Sequence, residues 1–155
     1  MEEPSTAQPL ILQYYNRLIN MRLLSQVVVS DKQGKTILCC FGEPQPSRSD
    51  ADSELSGGGG NDGEEDMPIE SNVVLSGVST FQMLDQLHLG APKYISAQYR
   101  DTVVVQTMDD TVMLTLIGHR SQGHFVGGLL ALLPQMKSNR AYEDLINQVK
   151  ACFAY

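Results

Sequence analysis

The residues in this sequence that are of types able to do chemistry are spaced wrongly for it. His119 and His124 flank a glycine- and serine-containing turn and stand five apart. Two imidazoles that share a metal from one helical face need a spacing of three or four, so structural or solvated roles fit this pair better. His88 falls at the expected end of a helix, where positive charge is favoured. Asp109 and Asp110 resemble a paired carboxylate, yet they fill a two-residue hairpin turn, which favours Asp for conformational reasons. Asp50, Asp52 and Glu54 take the first, third and fifth places of a calcium loop. Leu55 then occupies the sixth place, where the turn needs glycine, and Asn61 the twelfth, where a bidentate Glu is needed. The run Gly57 to Gly60 has no Lys-Ser/Thr and no helix after it, so it is no phosphate cradle. No serine sits in a GxSxG elbow. Cys39, Cys40 and Cys152 are odd in number and form no CxxC pair, which excludes a disulfide framework or zinc site and leaves buried thiols acting as small hydrophobes. No catalytic residue, metal ligand or cofactor site is therefore expected.

The elements that would position such residues read as an α+β domain. Leu10, Tyr14, Leu18 and Met21 recur at helical spacing between Pro9 and Arg22. Leu24 to Ser30 is a short β-branched run, and Lys35 to Phe41 is a second strand. Between them Asp31-Lys32-Gln33-Gly34 ends in a glycine suited to a tight turn, so the two strands form a hairpin. Val74, Val78, Phe81, Leu84 and Leu87 put one apolar stripe on a helix from about Asn72 to Leu89, with Ser71 as N-cap and Gly90 closing it. Gly77 inside that helix marks either a close packing contact or a tolerated weakness. Tyr94 to Tyr99, Thr102 to Met108 and Val112 to Ile117 are strands whose links are too short for anything but an antiparallel meander. Leu129, Leu133 and Met136, then Tyr142, Leu145, Val149 and Phe153, describe a C-terminal helix that Pro134 must kink or divide, with Asn139 able to cap a fresh start. One bent helix and two separate ones both fit.

Charge is confined to one segment. Residues 43 to 70 hold nine acids and one base, a net of −8 out of the chain's −7, so the rest sums to +1. Neither part offers the basic stripe that nucleic acid requires. With Pro44, Pro46, Pro68 and four consecutive glycines, this stretch cannot bury enough apolar area to offset its ordering entropy and reads as a disordered acidic loop. The expected organisation is one domain over residues 9–153 interrupted by that loop at 43–70. No apolar run reaches the length of a membrane span, and the acidic start Met1-Glu2-Glu3-Pro4 lacks the basic lead of a secretion signal, so a cytosolic setting is expected.

The strand order, with a helix between the second and third strands, resembles the Roadblock/dynein light chain superfamily, a profilin- and longin-like sandwich of order α-β-β-α-β-β-β-α. Val27-Val28-Val29-Ser30-Asp31-Lys32-Gln33-Gly34 is similar to that family's opening strand and turn. Ser79-Thr80-Phe81, Asp85-Gln86-Leu87-His88-Leu89-Gly90, Lys93 and Val104-Val105-Gln106 resemble the MAPK-scaffold members found in the Ragulator (LAMTOR) complex. The resemblance covers roughly residues 10 to 42 and 71 to 153; the acidic insert and Pro134 depart from it.

That resemblance implies a scaffold subunit that heterodimerises with a second Roadblock-fold protein through its central helix and third strand. Val74, Val78, Phe81, Tyr94, Ile95 and Tyr99 map to those elements and are the interface candidates, though each also suits the domain's own core. Other Ragulator subunits, Rag GTPases acting in TORC1 nutrient signalling, and the kinases MEK and ERK are the implied partners. Nucleic acid is not among them, and lysosomal or late-endosomal membranes would be reached only indirectly. The competing expectations are a Roadblock-type motor light chain, a longin-like trafficking subunit and a small-ligand sensor.

Overall fold

The computed structural model describes residues 9–42, 69–109 and 111–153. The acidic loop, its calcium-like and glycine-rich stretches, and Asp110 lie outside the described residues apart from the loop's last two positions. Among the described residues nine elements follow in order: α1 (Leu10–Asn20), β1 (Gln26–Asp31), β2 (Thr36–Phe41), α2 (Ile69–Asp85), β3 (Ile95–Gln98), β4 (Thr102–Met108), β5 (Val112–His119), α3 (Val126–Lys137) and α4 (Arg140–Phe153), with a short 3-10 turn at Arg120–Gln122 before α3. The strands form one antiparallel sheet in the order β2-β1-β5-β4-β3, so the hairpin and the meander join where β1 pairs with β5.

The hairpin closes as its turn residues require. Asp31 Oδ1 accepts hydrogen bonds from the backbone N–H of Gln33 and of Lys35, both at 2.9 Å, and Gly34 takes φ +98°. A side-chain oxygen that binds the backbone two residues on is the reason Asp starts such turns, and the positive φ is the reason glycine ends them.

Successive strand residues point to opposite faces, and both faces are covered. Val27 and Val29 of β1, Val103 and Val105 of β4, and Leu114 and Leu116 of β5 face a core built with α1, α3 and α4. Val28 and Met113 face the other way, against α2 alone. This double cover explains why the central strands are apolar without alternation. Cys39 and Cys40 split as adjacent strand residues should, Cys39 toward the α2 layer and Cys40 into the larger core. Cys152, expected buried, is exposed, although Val149 in the preceding turn of α4 is buried.

Three helical expectations are corrected. In α1 the buried track is Ile11, Tyr15, Leu18 and Ile19, while Leu10 and Met21 are exposed. Two apolar tracks one residue apart fit the same period, and the one with the wider i, i+4, i+7, i+8 stripe faces the sheet. The second helix starts at Ile69, two residues before Ser71, and ends at Asp85 instead of Leu89. His88 adopts a left-handed φ of 59° and Gly90 a φ of +98°, after bonds from Gln86, Leu87 and His88 N–H to carbonyls three residues back tighten the end. The C-terminal region is two helices, but Pro134 lies inside α3 and does not divide it. The break comes at Ser138 and Asn139. There the Ser138 hydroxyl and N–H both return to the Pro134 carbonyl (2.8 and 3.1 Å), and Asn139 Oδ1 accepts from Ala141 N–H at 2.8 Å to start α4.

Candidate partner interface

The chemistry-bearing side chains are tied into the fold. His124 is buried, and its Nδ1 accepts the His119 backbone N–H at 3.0 Å. The proton must then sit on Nε2, which donates to the Arg22 carbonyl at 3.1 Å. Burial, more than the nearby His119, holds the pKa of His124 below its usual value, and the bond to Arg22 opposes that shift. His119 lies 3.6 Å from Asp101, whose carboxylate also accepts from the Ser121 N–H and hydroxyl. Asp109 accepts from Lys137 Nζ at 3.1 Å and from Tyr142 OH at 2.9 Å, pinning α3 and α4 to the end of β4. Burial first, and the Asp109 charge second, raise the Tyr142 pKa. Among the described residues no group of three or more His, Cys, Asp or Glu side chains is placed to hold a metal ion.

The central helix α2 has two faces of different character. Val74 (0% exposed), Val78 (6%) and Phe81 (5%) pack on Val28 and Met113 of the sheet. Those three interface candidates are therefore core residues of this domain; the apolar stripe that singled them out is the side the sheet attracts. The opposite side presents Asn72, Leu75, Ser76, Ser79, Gln82 and Met83, all exposed and none charged. Leu75 is half exposed and Met83 is 65% exposed. The stretch from Ser71 to Leu84 contains no charged residue at all. That is the signal that marks the outer face, because a surface helix facing only water normally carries its charges there.

Gly77 resolves as a close packing contact, and the neighbour belongs to the same chain. A Cβ built on Gly77 would stand 2.4 to 2.6 Å from the side-chain amide of Gln106 in β4. That amide is buried between helix and sheet, where its Nε2 donates to the Val73 carbonyl at 3.1 Å and to Thr115 Oγ1 at 3.2 Å.

Beside α2 runs an open sheet edge. Among the described residues β3 pairs only with β4, through Ile95↔Gln106 to Gln98↔Val103, so its other side has no strand partner there. Tyr94 (47% exposed) and Tyr99 (57%) bracket this strand, and Ile95 is half-buried against the α2 layer. A groove of about 140 Å³ runs between helix and edge, lined by Val73, Gly77, Thr80, Ile95, Tyr99 and Gln106 among others. A second groove, of about 240 Å³, lies between the start of α1 and α4. Both fall below the roughly 300–1,000 Å³ of small-molecule sites.

Solved structures share this architecture. MglB with tetrameric arrangement superposes with a TM-score of 0.58 at 11% identity. Myxococcus xanthus MglB gives 0.57 at 13%, and the gliding protein MglB of Thermus thermophilus gives 0.56 at 10%. Each comparison covers 96% of this chain and 99% of the other. At such identities the likeness is one of fold, and the fold is Roadblock-like. The sequence matches no curated protein. The model of a protein family described as mitogen-activated protein kinase kinase 1 interacting matches residues 11–150, and the chain belongs to that family.

Proposed function

We propose that this chain is a non-catalytic scaffold subunit that pairs with a second Roadblock-fold protein in a Ragulator-like complex. The observation that carries the reading is the uncharged, exposed outer face of α2 lying beside the unpaired edge of β3. The small side chains of Ser76 and Ser79 let another helix approach closely, while Leu75 and Met83 supply apolar area. A partner strand added to β3 would satisfy its free backbone groups and extend the sheet, with Tyr94 and Tyr99 as aromatic contacts and Ile95 behind them. Helix and strand together give a surface with one orientation, which is what a specific dimer needs.

Membership of a family described as interacting with mitogen-activated protein kinase kinase 1 supports a role in assembling such kinases. Support of Rag GTPases and TORC1 signalling at the cytosolic face of lysosomes or late endosomes is the setting we infer from the Ragulator resemblance. Among the described residues no helix is long and apolar enough to cross a membrane, so attachment there would come through partners. The tetrameric arrangement of MglB makes self-association the alternative pairing.

Co-expression with candidate Roadblock-fold subunits, followed by size-exclusion chromatography with light scattering, tests the proposal. A stable one-to-one heterodimer that Leu75→Glu or Met83→Glu dissociates is the expected result. A well-behaved monomer that binds none of them refutes it.

A further inference from the structure

The arginines of this protein are gathered at one end of the sheet. Arg17, Arg22, Arg100 and Arg120 are four of the five arginines among the described residues. Arg17 is in the last turn of α1 and Arg22 directly follows that helix; Arg100 sits in the β3–β4 turn and Arg120 just after β5. The register places these points together, since Gln26 pairs with Ile117 and Thr102 with His119. Lys32, Lys35, Lys93 and Lys137 lie at the other end, around the β1–β2 turn and the close of β4.

None of the four guanidinium groups forms an ion pair among the described residues. The only described carboxylate set among them is Asp101, already engaged by Ser121 and His119. The backbone carrying two of them is held firmly. His124 fixes the Arg22 carbonyl, and Arg120 N–H donates to the Asp101 carbonyl at 2.6 Å. Gly118 admits His124 so closely that a Cβ there would meet its Cβ at 2.6 Å. Around these charges Met21, Leu23, Phe41 and Phe125 are exposed.

We propose that this arginine-bearing end is a second docking surface, and that its occupant is a segment of a partner protein rich in carboxylates and carrying apolar side chains. The carboxylates pair with Arg22 and Arg120, and the apolar side chains cover Leu23 and Phe125. Arginine suits this task because its planar fork grips a carboxylate with two parallel hydrogen bonds. Fixed backbone at Arg22 and Arg120 lowers the ordering cost of binding. An anionic membrane is disfavoured as occupant. Four arginines offset by Asp101 are few for adsorption. A protein segment that combines bidentate carboxylates with apolar contacts draws on more than diffuse charge. The surface is the end of the sheet that carries Arg22 and Arg120, and the residues that test it are not those that test the pairing proposed above, so the failure of one is distinguishable from the failure of the other.

The test uses the full chain and fluorescently labelled synthetic peptides in which Glu and Leu are placed at helical or at alternating spacing, read by anisotropy. Binding should weaken as salt is raised. It should fall on the order of tenfold with Arg22→Glu or Arg120→Glu, while Arg140→Glu, at the start of α4, changes it little. Melting temperatures of the variants should stay near that of the parent, because the replaced side chains are exposed. The proposal is overturned if no peptide in the set binds, or if Arg140→Glu weakens binding as much as the other two. It is also overturned if phosphatidylserine vesicles bind as well and with the same arginine dependence, which would identify a membrane instead.

Discussion

Replacing Gly77 by alanine sets two opposing effects against each other, and the structure decides the sign. In an exposed helix interior the change would stabilise by about 1 kcal/mol, since alanine loses less backbone entropy. Here the new Cβ would lie 2.4 to 2.6 Å from the Gln106 amide, well inside van der Waals contact. Relief requires the amide to move by about 1 Å. It bonds the Val73 carbonyl and Thr115 Oγ1 at 3.1 and 3.2 Å, and a shift of that size breaks one or both. A hydrogen bond lost from a buried donor left unpaired costs roughly 1–3 kcal/mol. Two such losses less the helix gain leave a net destabilisation of about 2 kcal/mol. For a chain of this length that corresponds to a melting point lower by about 4–8 °C, measured by circular dichroism. The double-mutant cycle isolates the cause. In a Gln106→Ala background the obstacle is gone, and Gly77→Ala should become neutral or stabilising. The reasoning is refuted if Gly77→Ala raises the melting point of the parent, or if its effect has the same sign and size in both backgrounds.

The two faces of α2 should separate stability from pairing. Phe81→Ala should cost about 3–5 kcal/mol in urea titration because it empties a buried site, whereas Met83→Glu should change stability by less than about 0.5 kcal/mol and act only on dimer formation; Leu75→Glu, which also leaves a contact with Gly34 in the β1–β2 turn, should lower both. The depressed pKa of His124 sets a pH dependence with a definite sign. The unfolded imidazole takes up its proton near pH 6.5 and the folded one only lower. Its contribution is therefore full above about pH 6.5 and is lost as the pH falls through the folded value. Urea midpoints measured from about pH 7.5 to about pH 5.5 should drop, and His124→Gln should flatten that slope. Deleting Ser47 to Asp66 should leave the melting point within about 2 °C of the parent, and a drop of several degrees would show that the segment is packed.

The order of elements, the hairpin and the meander could be read directly because their signals are local. Asp31 and Gly34 carry their turn geometry in their own side-chain chemistry, and links of two or three residues leave only antiparallel pairing. The near-neutral body and the acidic stretch at 43–70 likewise follow from counting charges. Tertiary structure alone decided what helical periodicity leaves open. In α2 the stripe Val74, Val78 and Phe81 was legible, but whether it met this domain's own sheet or a partner was not, and the sheet took it. The two apolar tracks of α1 fit one period, and packing against β2 and α4 decided between them. Gly77 acquired its meaning from Gln106, on a strand nearly thirty residues away in sequence. Arg22 and Arg120 came to the same end of the sheet because β1 pairs with β5, where His124 bonds the Arg22 carbonyl 102 positions earlier in the chain. Periodicity along a chain reports on one element at a time, whereas a surface is made where distant elements meet, and that meeting is set by how the whole sheet pairs.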